Sequence, residues 1–223
     1  METLEYYWSI ALEQGFVNVS LWTIDADKVR IIATQDQETW ENQEDLVLAL
    51  NNLLEKAVKD YPEDAAEPEK TVFGVAPGWV KDGQITKDKL KIIRHICTKL
   101  KLSPSGFVVL PEAIAHNMKH NEGAPLNSLV LGLGQEQLDL SLFSLGNLVG
   151  TIEVGRSENL LDDINEALAR FKTGQHLPSR FIVYGGDDSQ LEETLQQLIS
   201  FDWDSPESVV KFMHTPKFES VNS

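Results

Sequence analysis

The sequence predicts an α/β protein built from two lobes that repeat one order of elements. Short segments rich in β-branched and aromatic residues alternate with longer segments whose apolar residues fall at helical spacing. The order β-β-β-α-β-α-β occurs in residues 1–120 and again in residues 121–223. Apolar residues make up 42% of the 223 residues, which is enough for a hydrophobic core. We therefore expect two lobes, each with a mixed sheet covered by helices.

The first lobe is predicted to begin with a three-stranded meander. Its strands cover residues 6–13, 16–23 and 28–34, and the breaks fall at Gln14-Gly15 and at residues 25–27. Such short connections join antiparallel neighbours. The second and third strands should therefore run antiparallel to the strands beside them.

Helices and strands then alternate to the end of the first lobe. Helices are predicted at residues 43–60, 86–100 and 111–120, and strands at 71–76 and 106–110, the latter short and buried. Asn42 and Thr86 are suitable N-caps, and Pro111 suits the first turn of the helix that joins the lobes. The charged, proline-containing residues 62–70 are the best candidate for a flexible connection.

The second lobe repeats this order. Strands are predicted at residues 128–133, 137–145, 148–154, 180–184 and 209–213, and helices at 160–171 and 191–199. Gly134 and Gly146-Asn147 mark the two turns of its meander. Residues 172–179 leave no room for an inserted subdomain.

Charge and cysteine content exclude several classes of protein. The 19 Lys and Arg residues against 35 Asp and Glu residues give a net charge of −16, which opposes nucleic-acid and anionic-membrane binding. Cys97 is the single cysteine and lies in an apolar helical pattern, so we expect a buried thiol without a catalytic role. The acidic N-terminus lacks a signal-peptide pattern, and no segment is apolar for long enough to span a membrane. A cytoplasmic protein is expected.

Three short segments could contact a nucleotide. Glu13-Gln14-Gly15 forms a hairpin turn that can present backbone N–H groups to a phosphate and a carboxylate to a metal-bound water, or is a plain β-turn. Residues 129–140 contain a second glycine turn, in which Glu136 would place a carboxylate beside the phosphates. Gly185-Gly186 follows a strand and would let a base approach the backbone, whereas Asp187-Asp188 fits a helix N-cap equally well.

These segments and the repeated order resemble the actin-like ATPase superfamily, whose lobes are ribonuclease-H-like, and its bacterial FtsA and PilM branch in particular. Residues 110–115 and 74–83 add softer matches to that branch. The resemblance implies a nucleotide site, with ATP and Mg²⁺ as possible ligands. The residues aligned with that nucleotide site are Glu13, Gly15, Asn18, Gly132, Gly134, Gln135, Gly185 and Gly186.

The same resemblance identifies departures from the catalytic pattern. Asn18 stands where the superfamily's first phosphate loop has a lysine. In the second phosphate loop, Gly132 stands at the metal-positioning aspartate and Leu138 at a threonine. The large Phe16 also lies beside Gly15. Asp139 is a poor substitute for the missing aspartate. No catalytic residue is therefore assigned.

The departures favour a non-catalytic scaffold of PilM type that recruits a partner in a bacterial envelope or pilus assembly machine. PilM-like proteins grip a peptide of an inner-membrane partner, so the chain is expected to lie in the cytoplasm or peripherally at the inner membrane. Trp79, between Gly78 and Val80 in a predicted loop, is the weak candidate for a partner contact. The ending at residues 217–223 suggests a fragment of a longer protein or a reduced fold.

Two alternatives have different requirements. A Mg²⁺-dependent ATPase or small-molecule kinase of the same superfamily would use Glu13 or Asp139. A ribonuclease-H-like nuclease would need clustered carboxylates and a basic face, but the first strand offers only Glu13. Glu112, His116 and His120 share a helix face, which we interpret as solvated, and no metal site is predicted.

Overall fold

The computed structural model describes residues 4–60, 68, 70–171, 176–205 and 210–221. The chain divides into two compact units, Met1–Val109 and Leu110–Ser223. The charged connection predicted at residues 62–70 lies almost entirely outside the described residues. The structure is of the mixed α/β class, with two five-stranded mixed sheets, as the sequence predicts.

The first unit contains seven strands among its described residues. They are β1 (Tyr6–Leu12), β2 (Phe16–Asp25), β3 (Lys28–Thr39), β4 (Lys70–Val75), β5 (Val80–Lys81), β6 (Gln84–Ile85) and β7 (Ser103–Val109). The main sheet has the order β3-β2-β1-β4-β7, and β5 and β6 form a separate antiparallel pair. β1, β2 and β3 pair antiparallel, whereas β4 runs parallel to both β1 and β7.

Two helices cover one face of this sheet. They are α1 (Gln43–Ala57), which continues into a 3-10 turn at Val58–Asp60, and α2 (Lys87–Leu100). Asn42 caps α1 as predicted, because its side chain accepts hydrogen bonds from the N–H groups of Glu44 and Asp45. Thr86 precedes α2 but makes no side-chain capping bond. Alternate residues of β1 (Trp8, Ile10 and Leu12) enter the core with apolar side chains of both helices.

The second unit repeats the strand order of the first. Its strands are β8 (Ser128–Leu133), β9 (Gln137–Ser144), β10 (Asn147–Gly155), β11 (Arg180–Tyr184) and β12 (Lys217–Ser220). The sheet order is β10-β9-β8-β11-β12, and β11 runs parallel to both of its neighbours, β8 and β12, as β4 does in the first sheet. Its helices are α3 (Leu110–Glu122), α4 (Leu160–Arg170) and α5 (Asp188–Ser200).

Helices lie on both faces of the second sheet. α4 and α5 pack on the face of Leu129, Leu131 and Leu133. α3 packs on the opposite face against Val130 and Ile182, because Ala115 and its apolar neighbours point toward the sheet. The structure therefore groups α3 with the second unit, whereas the sequence predicts residues 111–120 to belong to the first lobe.

Two predicted strands differ from the structure. β7 is longer than predicted and is exposed from Ser103 to Val108, because it is the edge strand of its sheet. The last strand is not at residues 209–213: residue 209 lies outside the described residues, and Phe212 forms only an isolated bridge with Leu177. Pairing with β11 falls instead to β12, Lys217–Ser220. Among the described residues, no helix is long and apolar enough to cross a membrane.

Candidate functional site

The β1–β2 hairpin carries the first candidate segment. The N–H of Glu13 donates to the carbonyl of Phe16 at 3.0 Å, and Gly15 adopts a φ of 83°, which favours glycine. The side chains of Glu13 and Phe16 are buried, with 4% and 3% exposed. Asn18 lies within β2 opposite Ala11 and is also buried. The structure thus brings Glu13, Gly15 and Asn18 to one hairpin.

Trp40, directly after β3, closes this hairpin from outside. Its backbone N–H donates to the carbonyl of Gly15 at 2.9 Å, and its indole N–H donates to the carbonyl of Phe16 at 3.0 Å. The carbonyl groups of Gly15 and Phe16 are therefore bonded within the chain. Because the N–H of Glu13 also bonds within the turn, it is not available to a phosphate.

The β8–β9 hairpin has the same backbone hydrogen bonds at the equivalent positions. The N–H of Gly134 donates to the carbonyl of Gln137 at 3.0 Å, and Arg156, directly after β10, donates its backbone N–H to Glu136 at 2.8 Å. The Arg156 guanidinium donates to the carbonyl of Gly134 at 2.7 Å. Gln135 and Glu136 are exposed at the tip. Arg156 thus places a cation beside the acidic Glu136.

Gly132 is packed beneath an aromatic ring. It pairs with Tyr184 of β11 and with Asp139 of β9. A Cβ atom added to Gly132 would lie 2.7 Å from the Tyr184 hydroxyl oxygen and 2.8 Å from the Cζ atom. Real Cβ atoms do not approach other atoms so closely, and Tyr184 is itself buried. The phenol therefore fills the space that an aspartate side chain at position 132 would need.

Gly185 and Gly186 connect β11 to α5. Both have a positive φ, 78° and 72°. Asp187 is the N-cap of α5, since its carboxylate accepts the N–H of Gln190 at 2.8 Å. A Cβ on Gly186 would lie 3.6 Å from Leu133, so this loop adjoins the end of β8. Gly134 and the two glycines consequently lie near the carboxyl ends of two parallel strands, where α/β folds bind ligands.

Trp79 does not provide a partner surface, and the prediction of its exposure is wrong. The 3-10 turn Pro77–Trp79 directs the indole into the first core, leaving 1% of it exposed. The Lys89 ammonium group lies 5.0 Å from the ring centroid. The predicted loop is thus an ordered turn, in which the N–H of Thr86 donates to the Trp79 carbonyl.

Other predicted residues have simpler surroundings. Glu112, His116 and His120 are exposed on α3, and the described residues contain no cluster of three side chains that could hold a metal. Cys97 is half-buried on α2, and burial raises the pKa of its thiol. A raised pKa keeps the thiol protonated and lowers its reactivity.

Sequence reasoning missed Trp40, Arg156 and the role of Tyr184. Trp40 and Arg156 occupy the same place in the repeat, directly after the third strand of each unit. An internal alignment of the two lobes would have paired them, although it would not have shown their hydrogen bonds. The contact of Tyr184 with Gly132 depends on the parallel register of β8 and β11.

Solved structures with the same fold include three proteins of different description. Ethanolamine utilization protein EutJ from Carboxydothermus hydrogenoformans is 10% identical over 86% of this chain and 80% of that chain, with a TM-score of 0.54. An exopolyphosphatase from Cytophaga hutchinsonii is 10% identical over 90% and 73%, with a TM-score of 0.51. A Bacteroides thetaiotaomicron protein with an actin-like ATPase fold and unknown function is 9% identical over 86% and 88%, with a TM-score of 0.50.

These similarities confirm the predicted fold. The chain has the actin-like ATPase fold, with its duplicated ribonuclease-H-like strand order. No protein-family model matches the sequence, and no curated protein matches it. Because the sequence identities are near 10%, the similarity establishes the fold alone. Any activity has to be inferred from the residues of the candidate site.

Proposed function

We propose that this chain is a non-catalytic actin-like scaffold of the PilM type, which recruits a partner protein by surface contact. The observation that carries the proposal is the Tyr184 phenol above Gly132. A metal-positioning carboxylate at that position would overlap the ring. The proposed setting is a bacterial envelope or pilus assembly machine, at the cytoplasmic side of the inner membrane, with a peptide of an inner-membrane protein as the partner.

The two hairpins support the proposal. In each, one backbone N–H of the turn donates within the turn, at Glu13 and at Gly134. The buried Phe16 side chain follows the first glycine, and the exposed Glu136 carboxylate stands at the tip of the second hairpin. A polyphosphate would meet an acidic side chain there, which costs electrostatic free energy.

One observation favours the alternative, a Mg²⁺-dependent ATPase or small-molecule kinase. The Arg156 guanidinium lies beside the Gly134 loop, and that loop adjoins Gly185-Gly186. A cation at the carboxyl ends of parallel strands is a plausible phosphate contact. ATP with Mg²⁺ therefore tests the proposal directly.

The test is calorimetric titration of ATP and Mg²⁺, together with thermal unfolding at millimolar ATP. The scaffold proposal predicts no heat of binding and no thermal shift, because a ligand stabilises only the protein that it binds. Micromolar binding that Gly185→Asp abolishes would reject the proposal. Gly83→Asp in the first unit is the matched control, since Gly83 also has a positive φ, of 73°, and a Cβ there has nothing within 4 Å.

A second variant keeps the test independent of folding. Gly185 has a positive φ, so an aspartate there strains the backbone. Gln135→Glu adds a negative charge at an exposed position of the second hairpin and leaves the backbone unstrained. If ATP binds, this variant should weaken binding several-fold by charge repulsion, and a lack of any effect would place the nucleotide elsewhere.

A further inference from the structure

The edge of the first sheet has the properties of a docking site for an extended chain. β7 is the last strand in the sheet order, and its residues from Ser103 to Val108 are exposed. Phe107 and Val108 leave 37% and 43% of their surfaces exposed. An edge strand with exposed apolar side chains presents backbone N–H and C=O groups that another strand can pair with.

A groove runs beside this edge, between β7 and α2. Its volume is about 530 Å³, and its walls include Ile85, Leu90, Cys97 and Phe107 together with the exposed Arg94. Apolar walls with a single guanidinium suit a peptide side chain that is apolar near the backbone and charged at its end. The groove belongs entirely to the first unit.

Positive charge is concentrated along α2. Residues 87–101 carry six of the 19 Lys and Arg residues of the chain and only one acidic residue, Asp88. Lys87, Lys91 and Arg94 recur at spacings of four and three residues, so their side chains lie on one face of α2. Lys91 pairs with Asp88 at 3.0 Å. Lys87 and Arg94 form no salt bridge with any other described residue.

This local charge matters although the whole chain carries −16. At physiological ionic strength, screening limits interactions between exposed charges to about 8 Å. A bound peptide therefore responds to Lys87 and Arg94 more than to distant carboxylates. The helix rises about 10 Å from Lys87 to Arg94, which falls between the spacings of about 7 and 13 Å for side chains two and four residues apart on one face of a strand.

We propose that β7 binds an extended acidic peptide of a partner protein, which adds a strand to the sheet and directs alternate carboxylates toward Lys87 and Arg94. This inference deepens the proposed scaffold function by assigning a surface and a chemical class of partner. It makes no use of the hairpins or of Gly132. Its test is therefore independent of whether ATP binds.

The experiment uses a fluorescein-labelled peptide of seven residues in which glutamate and valine alternate. Fluorescence anisotropy should show saturable binding with a Kd below about 1 mM, weakening as salt is raised from 50 to 300 mM. Hydrogen exchange should show added protection of β7 amides of Ser103 and residues 105–109, since Pro104 has no amide hydrogen. A peptide with lysine in place of every glutamate is the ligand control and should not bind.

Matched variants separate local charge from net charge. Lys87→Glu with Arg94→Glu should weaken binding by about tenfold or more. Lys28→Glu with Lys119→Glu changes the net charge equally at exposed positions on β3 and α3, and should change the Kd by less than about twofold. All four residues are exposed, so both variants should fold, which circular dichroism verifies.

Several results would overturn the proposal. These are absence of saturation, equal binding of the lysine peptide, equal weakening by the two double variants, or protection away from β7. Sedimentation tests the competing occupant. If the wild-type chain self-associates and the double variant Lys87→Glu with Arg94→Glu abolishes this association, β7 pairs with a second copy of the chain. The assignment to an acidic peptide is then wrong.

Discussion

The two hairpins of this protein share their backbone bonds but differ in the side chains that close them. In the first unit Trp40 bonds the turn with an indole N–H, and in the second unit Arg156 bonds it with a guanidinium. The backbone bonds from these two residues, to Gly15 and Glu136, are equivalent. The two units therefore share the backbone hydrogen bond at this place, whereas the side-chain donors differ in chemistry and reach non-equivalent carbonyl groups, those of Phe16 and Gly134.

The fourth strands end differently in the two units. β4 leads into the turn Pro77–Trp79, and the Trp79 ring fills the core behind it. β11 leads through Gly185 and Gly186 into the capped helix α5. The first end is closed by an apolar side chain, and the second is lined by backbone. If either unit contacts a ligand at its strand ends, the second is better suited to do so.

The largest effect is expected from restoring an aspartate in the second unit. Gly132→Asp forces a Cβ against Tyr184 and buries a carboxylate beside Asp139. We expect a loss of about 4 kcal/mol in the free energy of unfolding, from overpacking and burial of charge together. The equivalent Ala11→Asp should cost less than half as much, because the β4 residue that pairs with Ala11 is Gly74. Urea denaturation measures both.

Gly150→Asp serves as the control for the change to aspartate. A Cβ at Gly150 has nothing within 4 Å, so the variant should stay within about 0.5 kcal/mol of the wild type. Equal costs at positions 11 and 132 would contradict the role assigned to the phenol. A Gly132→Asp variant as stable as the wild type would also remove the main support for the scaffold proposal.

A second prediction tests whether the equivalent cores are equally important. Leu12 and Leu133 end the first strand of each unit, and both are buried, with 0% and 1% exposed. Leu12→Ala and Leu133→Ala should each cost about 3 kcal/mol, from lost burial and the cavity left behind. Hydrogen exchange should show faster opening mainly in the mutated unit. Costs that differ by more than about 2 kcal/mol would show that the cores are not equivalent.

The sequence predicts the positions of the strands well because short apolar segments follow directly from burial. β11 has the predicted bounds, residues 180–184, and all three strands of the second meander begin within one residue of the prediction. In these segments nearly every apolar side chain contributes to a core, so the local pattern carries the information.

The features that the sequence does not predict depend on strand pairing and turn geometry, about which a local sequence pattern carries no information. The apolar residues Val210, Phe212 and Met213 suggested the last strand, but the polar segment Lys217–Ser220 pairs with β11 through its backbone. Trp79 enters the core only because of its turn. The contact of Tyr184 with Gly132 arises from the register of two strands far apart in sequence.

The smallest expected effect concerns the ion pairs at the start of the fourth strands. Lys70 opens β4 and contacts Glu5 at 2.5 Å, whereas Arg180 opens β11 and donates to Glu122 at 2.6 and 2.8 Å and to Glu219. The planar guanidinium holds the Glu122 carboxylate in a bidentate pair, but an ammonium makes a point contact. Glu122 ends α3, so this pair ties the helix to its sheet.

Glu122→Gln should therefore lower the midpoint of urea unfolding at pH 7 by a small amount, and Glu5→Gln by less. The hydrogen bonds from Arg180 hold the pKa of Glu122 below its ordinary value of 4.5. Its contribution is present above that value and is lost as the pH falls through the lower folded-state pKa. Wild type and Glu122→Gln should accordingly converge in strongly acidic solution, whereas the exposed Glu158→Gln control should match the wild type throughout. A difference that persists in acid would show that Glu122 acts by packing, and a larger effect of Glu5→Gln would reverse the proposed order of the two pairs.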